Sequence, residues 1–332
     1  MAAGVAAMLL SACATTAPRE PEPPSSSMAR LPGWATEDHA AAFAAVRTAC
    51  ADMPRAARSR ICAEVLARGR LGEAAARSFL ERNYRAEPID GEGLLTGYFS
   101  PEYAARSAQQ GEFTAPVRPV PLYDQAGPDR AEIERTPAPN ALAWMRPEDL
   151  FFLQVQGSGV LTFADGARRR AIYAGANGER FVAISGVMVG QGLLAPAEAS
   201  AGHVHDWLAA HRGPEAQAVM DQDPRYIYFR LVPDDGAEPQ GASGAKLMAG
   251  RSLAVDPAYH PGFELLWVDA RAGSLSGARV SYQRLAVAMD RGSAILGPVR
   301  ADLYVGSGPA AGEEAARIRH TLHLYRIVPA QP

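Results

Sequence analysis

The stretch Leu285-Ala286-Val287-Ala288-Met289-Asp290-Arg291-Gly292-Ser293-Ala294-Ile295-Leu296-Gly297-Pro298-Val299-Arg300-Ala301-Asp302-Leu303-Tyr304-Val305-Gly306-Ser307-Gly308 contains two apolar, strand-like runs, each with one aspartate. Small residues that favour turns separate the two runs. An acidic side chain inside an apolar run is costly unless it is paired, hydrogen-bonded or used chemically. A third aspartate, Asp256, follows a similar run at residues 253–255. We therefore expect all three carboxylates near the functional site.

The composition indicates a globular protein of about two domains. The chain has 332 residues, against a prior of roughly 150 residues per domain. Hydrophobic residues make up 48% and charged residues 21%, and the 31 glycines and 26 prolines favour a turn-rich β fold. A net charge of −3 gives no electrostatic case for binding nucleic acid. No internal stretch approaches the ~18 apolar residues of a membrane span.

Hydrophobic spacing predicts helices at the start of the chain and strands afterwards. Helices are predicted at residues 39–50, 58–68, 71–84, 181–194, 200–211 and 313–319. Strands are predicted at residues 94–99, 117–123, 150–155, 170–173, 226–232, 253–255, 264–268, 285–289, 301–305 and 322–328. This order suggests one β domain inserted into another, with the N-terminal helices packed on a C-terminal barrel.

The N-terminus has the features of an export signal. Residues 1–10 are small and apolar, and the following Leu10-Ser11-Ala12-Cys13 resembles a bacterial lipobox, in which Cys13 is lipidated. A disordered apolar N-terminus is the alternative. Residues 14–30 are polar and rich in proline, so we expect a flexible tether.

Cys50 and Cys62 lie 12 positions apart, across a predicted turn between helices. An exported protein can form a disulfide there, and two partly buried thiols are the equal alternative. Neither cysteine has a partner histidine in a recognisable motif, so neither is expected to be a nucleophile.

Asp302 is one candidate for acid chemistry. Its apolar neighbours should raise the pKa of its carboxyl by desolvation, and a carboxyl kept protonated near neutral pH can act as a general acid. If Asp290 stays ionised close by, it would raise the pKa of Asp302 further. Asp256 precedes Pro257 and could serve only to stabilise a turn. Each aspartate could also be a structural hydrogen-bond acceptor at a strand end.

Two other motifs suggest contact with a ligand. Thr96-Gly97-Tyr98 can present a ring and a hydroxyl to a sugar, although aromatic residues in a strand core explain it equally well. Gln156-Gly157-Ser158-Gly159 lacks the lysine and the following helix of a phosphate loop. It predicts a bulge or a hairpin tip where backbone approaches a ligand, or else a plain turn.

A metal site is not predicted. His203 and His205 are two positions apart and so point to different faces of a helix, and no cysteine or glutamate cluster accompanies them or His211.

In order and spacing, several stretches resemble the membrane-bound lytic murein transglycosylase A family, whose closing part is a three-aspartate (3D) domain. The resemblance covers about residues 90–328. Where the family usually has Asp-x-Gly-Gly, this chain has Asp290-Arg291-Gly292-Ser293, and Leu296 replaces the lysine of the following Ile-Lys-Gly. After Thr96-Gly97-Tyr98 the family often has Tyr-Glu-Pro, whereas this chain has Phe99-Ser100-Pro101. The matching stretches are residues 95–102, 151–159, 172–178, 223–229, 251–257 and 290–308.

This resemblance implies a mainly β fold with N-terminal helices. A double-psi β-barrel would be built from both chain ends, residues 31–99 and 224–332, after a signal peptide at residues 1–13. A second β-barrel-like domain, residues 100–223, would be inserted, with a saccharide groove between the two.

The implied activity is non-hydrolytic cleavage of the β-1,4 bond between N-acetylmuramic acid and N-acetylglucosamine, which leaves a 1,6-anhydromuramoyl end. Asp302 would act as acid and then base, with Asp290 in support. Substrate-binding residues would be Thr96, Gly97, Tyr98, Gln156, Gly157, Ser158, Tyr173 and Asp256. A murein hydrolase with two carboxylates and a non-catalytic murein-binding lipoprotein are the alternatives.

No metal or cofactor is implied. The expected partners are peptidoglycan glycan strands and other cell-wall enzymes. Lipidated Cys13 would anchor the protein to the periplasmic face of the outer membrane of a Gram-negative bacterium.

Overall fold

The computed structural model describes residues 26–121, 127–273, 280–292 and 294–330. Cys13, Ser293 and residues 14–25 of the expected tether lie outside these residues. The helices are α1 (His39–Asp52), α2 (Arg60–Arg68), α3 (Glu73–Asn83), α4 (Arg130–Arg135), α5 (Pro147–Gln156), α6 (Ile184–Gly190), α7 (Ala201–Ala210), α8 (Pro214–Met220) and α9 (Pro309–Ala315). The strands are β1 (Tyr84–Pro88), β2 (Gly93–Ser100), β3 (Glu102–Ala105), β4 (Ala115–Val117), β5 (Ala143–Met145), β6 (Ser158–Phe163), β7 (Arg168–Ala176), β8 (Ile227–Pro233), β9 (Ser252–Val255), β10 (Leu265–Ala270), β11 (Tyr282–Asp290), β12 (Arg300–Ser307) and β13 (Arg319–Pro329).

The three N-terminal helices pack on one another and on the barrel. Asp38 caps α1 by accepting a hydrogen bond from Ala41 N at 2.8 Å. Phe43 of α1 and Phe79 of α3 meet edge to face, with ring centroids 5.3 Å apart. Cys50 and Cys62 form a disulfide between α1 and α2. Of the two alternatives predicted from the sequence, the disulfide is therefore confirmed and the pair of free thiols is wrong.

The expected tether extended too far along the chain. Ser27 forms a β-bridge with Arg85, and Met28 is fully buried in the same apolar cluster as the N-terminal helices. The backbone bridge of Ser27 and the burial of Met28 together attach residues 27–30 to the fold. The prediction of a flexible segment is therefore wrong for residues 27–30.

A closed six-stranded barrel forms the larger unit. Its sheet runs β1-β13-β10-β11-β9-β12-β2, and β2 pairs again with β13, so β2 and β9–β13 make a ring. The long strand β13 makes this closure possible: Arg319 to Leu322 pair with β2, and the residues after them pair with β1. Two pairs are parallel, β9 with β11 and β2 with β12. The expected double-psi β-barrel from two distant parts of the chain is confirmed.

Strand alternation determines which side chains face the barrel interior. Leu95, Ala301 and Leu303 are fully buried in the interior cluster. Thr96 and Asp302, which alternate with them, therefore lie on the outer face of the barrel. These two candidate residues of β2 and β12 are thus outside the barrel core.

The remaining strands form a second, smaller β unit. Its four-stranded sheet has the order β3-β6-β7-β8, and β4 and β5 form a ribbon beside it. Phe229 N donates to Arg118 O at one edge, and Arg106 and Trp144 exchange backbone hydrogen bonds at the other. These bonds nearly close a ring, which gives the insert its barrel-like form. Because β8 pairs with β7 as far as Pro233, the strand after the expected boundary at residue 223 belongs to the insert's sheet.

The strand predicted at residues 150–155 is wrong, because this segment is helix α5. Leu150 and Leu153 face the core of the insert sheet, whereas Phe151 belongs to the cluster with α6, α7 and α8. A helix buried on both sides needs a nearly continuous apolar run, which is also typical of a buried strand. Among the described residues, none of the helices has the length and apolar character needed to cross a bilayer.

Candidate active site

Asp302 lies in the middle of β12, between two neighbouring strands. Its partner in the parallel pair with β2 is Thr96, and its partner in the antiparallel pair with β9 is Ala254. The Thr96 hydroxyl donates to Asp302 Oδ1 at 2.8 Å. The barrel closure thus brings together two of the predicted site residues that are far apart in the sequence.

Arg300 adds a third group to this pair. Its Nη2 donates to Thr96 Oγ1 at 2.9 Å, and its Nη1 donates to the carbonyl oxygens of Ala301 at 2.6 Å and Leu94 at 3.2 Å. Arg300 is not among the site residues predicted from the sequence. The available signal was its spacing, because a residue two positions before Asp302 on a strand faces the same side of the sheet.

The carboxyl of Asp302 has a raised pKa. Burial is the main cause, since it disfavours the charged form, and the nearby Asp290 carboxylate adds to it. The Thr96 hydrogen bond and the positive charge of Arg300 act in the opposite direction. Because burial prevails, Asp302 keeps its proton to a higher pH than an ordinary aspartic acid, as predicted.

Asp290 lies at the end of β11 and is held by three donors. Tyr98 donates its hydroxyl to Oδ2 at 2.9 Å, and the backbone amides of Ala242 and Arg291 donate to Oδ1 at 2.8 and 2.9 Å. Burial raises the pKa of Asp290, while these hydrogen bonds oppose the rise. Burial and the Asp290 charge keep the pKa of Tyr98 well above its usual value. Tyr98 therefore donates to Asp290 at any physiological pH.

Asp256 has a different environment. Its Oδ1 accepts from Ala258 N at 3.0 Å and its Oδ2 from Gly297 N at 2.7 Å, and these bonds lower the pKa of its carboxyl. The side chain therefore connects the turn after β9 with the loop that leads into β12. This geometry fits the turn-stabilising alternative, and a substrate contact of Asp256 stays a prediction.

Gly97 is required by packing inside the fold. A Cβ atom at this position would lie 2.8 Å from Ile318 Cδ1 and 3.0 Å from Ala315 Cα, both of which belong to α9 or the turn after it. The strand β2 can approach α9 this closely only without a side chain at residue 97. A direct contact of Gly97 with substrate stays a prediction.

The other predicted binding residues lie in the insert. Gln156 is the last residue of α5, Gly157 ends the helix with a φ of 79°, and Ser158 begins β6. Tyr173 lies on the adjacent strand β7 and is 53% exposed. The predicted bulge or hairpin tip is wrong, because Gly157 forms a helix-to-strand junction. Val160 N donates to Pro101 O at 2.8 Å, which joins β6 to the segment that follows β2.

His205 belongs to an ion-pair network in the insert. Its Nε2 lies 2.8 Å from Asp149 Oδ1, and Glu148 completes a group whose ligand-type atoms lie within 4.8 Å of one another. Both carboxylates already have cationic partners, Glu148 with Arg212 and Asp149 with Arg146. The cluster is therefore explained as a charge network between α5 and α7.

The fold and the site define a double-psi β-barrel protein with a protonatable carboxylic acid on the outer face of its barrel. The sequence matches two protein-family models. The MltA specific insert domain matches residues 123–230, and the 3D domain matches residues 251–328. The chain belongs to the membrane-bound lytic murein transglycosylase A family, with the 3D domain at its end.

Individual relatives agree with this assignment. Membrane-bound lytic murein transglycosylase A of Escherichia coli K12 is 32% identical over 235 residues, which are 68% of this chain and 63% of that protein. The chain thus matches somewhat less than two thirds of the length of this relative.

Two solved structures extend the comparison to most of the chain. A lytic transglycosylase of Burkholderia pseudomallei is 30% identical, with 92% of this chain and 94% of that chain covered and a TM-score of 0.65. E. coli MltA with bound chitohexaose is 27% identical, with 88% and 90% covered and a TM-score of 0.74.

Proposed function

We propose that this protein is a peptidoglycan lytic transglycosylase. It cleaves the β-1,4 bond between N-acetylmuramic acid and N-acetylglucosamine and leaves a 1,6-anhydromuramoyl end. Family membership supports this proposal, as does the glycan in the related E. coli structure. The observation that carries it is a half-buried Asp302 whose carboxyl pKa is raised by burial and whose Oδ1 accepts a hydrogen bond from Thr96.

In the first step Asp302 is the general acid. It donates its proton to the glycosidic oxygen, the bond from that oxygen to C1 of the muramoyl residue breaks, and N-acetylglucosamine leaves with a new C4 hydroxyl. The raised pKa increases the fraction of Asp302 that is protonated when the substrate binds. Thr96 occupies Oδ1, so Oδ2 is the oxygen that faces the glycosidic bond.

In the second step the Asp302 carboxylate is the base. The muramoyl C6 hydroxyl attacks C1, and its proton returns to Asp302. The bond between O6 and C1 closes the anhydro ring, no water is consumed, and the enzyme regains its starting protonation state. An intramolecular hydroxyl has a high effective concentration, so no external nucleophile is needed.

We propose that Asp302 is the single catalytic carboxyl and that Asp290 supports it. Conventional glycosidases use one carboxyl as acid and another as nucleophile or base. Asp290 already accepts three hydrogen bonds, from Tyr98, Ala242 and Arg291, which fix both of its oxygens. We assign it the role of fixing Tyr98 and, through its charge, of raising the pKa of Asp302.

The glycan strand is proposed to pass between the barrel and the insert. Thr96, Gly97, Tyr98 and Asp256 would contribute from the barrel side, and Gln156, Gly157, Ser158 and Tyr173 from the insert. The half-exposed ring of Tyr173 is suited to stacking on a sugar. We also propose the two-domain division, with the end of the insert moved beyond β8.

The proposed location is the periplasmic face of the outer membrane, through a lipid on Cys13, with other cell-wall enzymes as further partners. Labelled palmitate is expected to enter the wild-type protein and not a Cys13→Ala variant. Equal labelling of both would contradict the anchor.

The proposed activity is tested by digesting purified sacculi with wild-type protein and with Asp302→Asn. Mass spectrometry should find muropeptides that are lighter by one water than reducing-end products, and only with the wild type. Reducing ends from the wild type would indicate a hydrolase. Equal release by Asp302→Asn would remove Asp302 from the mechanism.

A further inference from the structure

We propose that Arg300 is a positioning residue for Asp302: by donating to Thr96, it fixes the threonine hydroxyl as a donor to Oδ1 and so keeps the acidic proton on Oδ2. This inference rests on the proposed function, since it concerns the same carboxylic acid. Arg300 itself is not placed against the substrate. It acts on Asp302 through the hydrogen bond to Thr96 and through its positive charge.

The guanidinium of Arg300 is rigidly held. Its Nη1 donates to Leu94 O on β2 and to Ala301 O on its own strand, so it bridges the parallel pair. Its Nη2 then points to Thr96 Oγ1 at 2.9 Å. A planar fork anchored by two carbonyl groups has little freedom to turn its remaining donors elsewhere.

The consequence for Thr96 follows from its one proton. A threonine hydroxyl has a single donor and can accept at its oxygen. Because Arg300 donates into that oxygen, the hydroxyl proton is directed to Asp302 Oδ1 at 2.8 Å. Oδ1 is then an acceptor whether Asp302 is ionised or not, and the acidic proton resides on Oδ2.

The surrounding charges give Arg300 a second effect. Asp290 from β11 raises the pKa of Asp302, and Tyr98 from β2 is neutral. On β13, the exposed Arg319 is the strand partner of Thr96. On β9, the strand partner of Asp302 is Ala254, which carries no charge. The positive charge of Arg300 lowers the pKa of Asp302 and so limits the rise that burial causes. The acid therefore remains able to release its proton during turnover.

The test is the pH profile of kcat/KM on isolated glycan strands, for the wild type, Arg300→Met and Arg300→Lys. Activity should fall at alkaline pH as Asp302 ionises in the free enzyme. Arg300→Met should move this fall upward by about 1 pH unit, because the favourable charge is gone. Arg300→Lys keeps the charge and one donor, so its profile should stay near that of the wild type.

The matched control is Arg284→Met. This variant also removes a half-buried arginine of the barrel, but one whose Nη1 donates to Gly250 O. It should leave the alkaline fall in place. An unmoved profile in Arg300→Met, or an equal shift in Arg284→Met, would overturn the proposal. If Arg300→Met does not fold, Arg300→Gln removes the charge and retains an amide donor.

Carbon-13 NMR of the Asp302 carboxyl without substrate separates this inference from the proposed function. Arg300→Met should raise the observed pKa of Asp302, and the change should be smaller when Thr96→Val is already present. An unchanged pKa beside anhydro products would refute the role of Arg300 alone. A raised pKa beside hydrolytic products would refute the proposed function and leave the role of Arg300 standing.

Discussion

Thr96 and Asp302 are paired across two parallel strands, and the threonine hydroxyl donates to Oδ1 of the acid at 2.8 Å although the residues lie 206 positions apart. The insert occupies most of the sequence between them. The pairing therefore exists only because both chain segments enter one closed barrel. It makes Thr96 the residue whose removal most directly perturbs Asp302.

Thr96→Val should lower kcat/KM about tenfold or more, because a hydrogen bond to an ionisable group is lost while the side-chain volume is kept. The pKa of Asp302 should rise, since the Thr96 bond opposes the effect of burial. The alkaline fall in activity should then move to higher pH. The matched control is Thr96→Ser, which keeps the hydroxyl. A pH profile of Thr96→Val that coincides with the wild type would contradict this role.

Asp290→Asn should shift the same profile in the other direction. The Asp290 charge raises the pKa of Asp302, so its removal should lower that pKa and move the alkaline fall to lower pH. The asparagine oxygen can replace Oδ1 and accept from Ala242 N, and the asparagine NH2 group can donate to the hydroxyl oxygen of Tyr98. Complete loss of activity at every pH would instead favour Asp290 as a second catalytic carboxyl.

Asp302→Asn should be inactive and yet more stable than the wild type at neutral pH. The folded pKa of Asp302 is raised, so the folded state holds its proton more tightly than the unfolded state does. At pH values below the pKa that Asp302 has in the unfolded chain, its carboxyl does not change the free energy of unfolding. As the pH rises from there through the pKa of Asp302 in the folded protein, the free energy of unfolding decreases. Asparagine removes this loss. Thermal unfolding should show a higher Tm for the variant at pH 7 and a smaller difference near pH 3.

Gly97→Ala tests whether this glycine serves packing. The new Cβ would meet Ile318 and the backbone of Ala315, so unfolding in urea should show a loss of about 1–3 kcal/mol. Adding Ile318→Val removes the Cδ1 methyl and should restore part of that stability. A large increase in KM with unchanged stability would indicate a substrate contact instead.

The disulfide between Cys50 and Cys62 should stabilise the N-terminal helices. Replacing both cysteines with serine should lower the free energy of unfolding by about 2–4 kcal/mol. A reductant should weaken the wild type and leave the variant unchanged. Equal sensitivity of both proteins to the reductant would mean that this bridge is not the cause.

Local patterns predicted most of the barrel, because half-buried strands such as β11 and β12 carry the apolar runs that burial requires. The prediction failed at residues 150–155. Helix α5 is buried on two sides there, so its apolar residues are nearly continuous and do not show the spacing of a helix. Pro147 at its start and Gly157 at its end were better signals, since proline favours the first turn of a helix and glycine favours its end.

The acids Asp302 and Asp290 were found from their apolar surroundings, which is the same property that raises their pKa values. The sequence could not show that Thr96 is the donor to Asp302, because strand pairing over 206 positions leaves no local trace. The same limit applies to Arg300. Its spacing predicts that it faces the same side of the sheet as Asp302, but its contact with Thr96 depends on the pairing of β12 with β2. The burial of Met28, which ends the flexible segment earlier than predicted, likewise depends on the apolar cluster of the N-terminal helices.

In the proposed mechanism the muramoyl C6 hydroxyl, rather than water, attacks C1 after Asp302 has protonated the leaving oxygen. Digestion of purified glycan strands in water enriched in oxygen-18, followed by mass spectrometry, measures this directly. We expect anhydro ends with no incorporated oxygen-18 from the wild-type protein. One oxygen-18 at each newly formed end would show that water is the nucleophile and would refute the proposed mechanism.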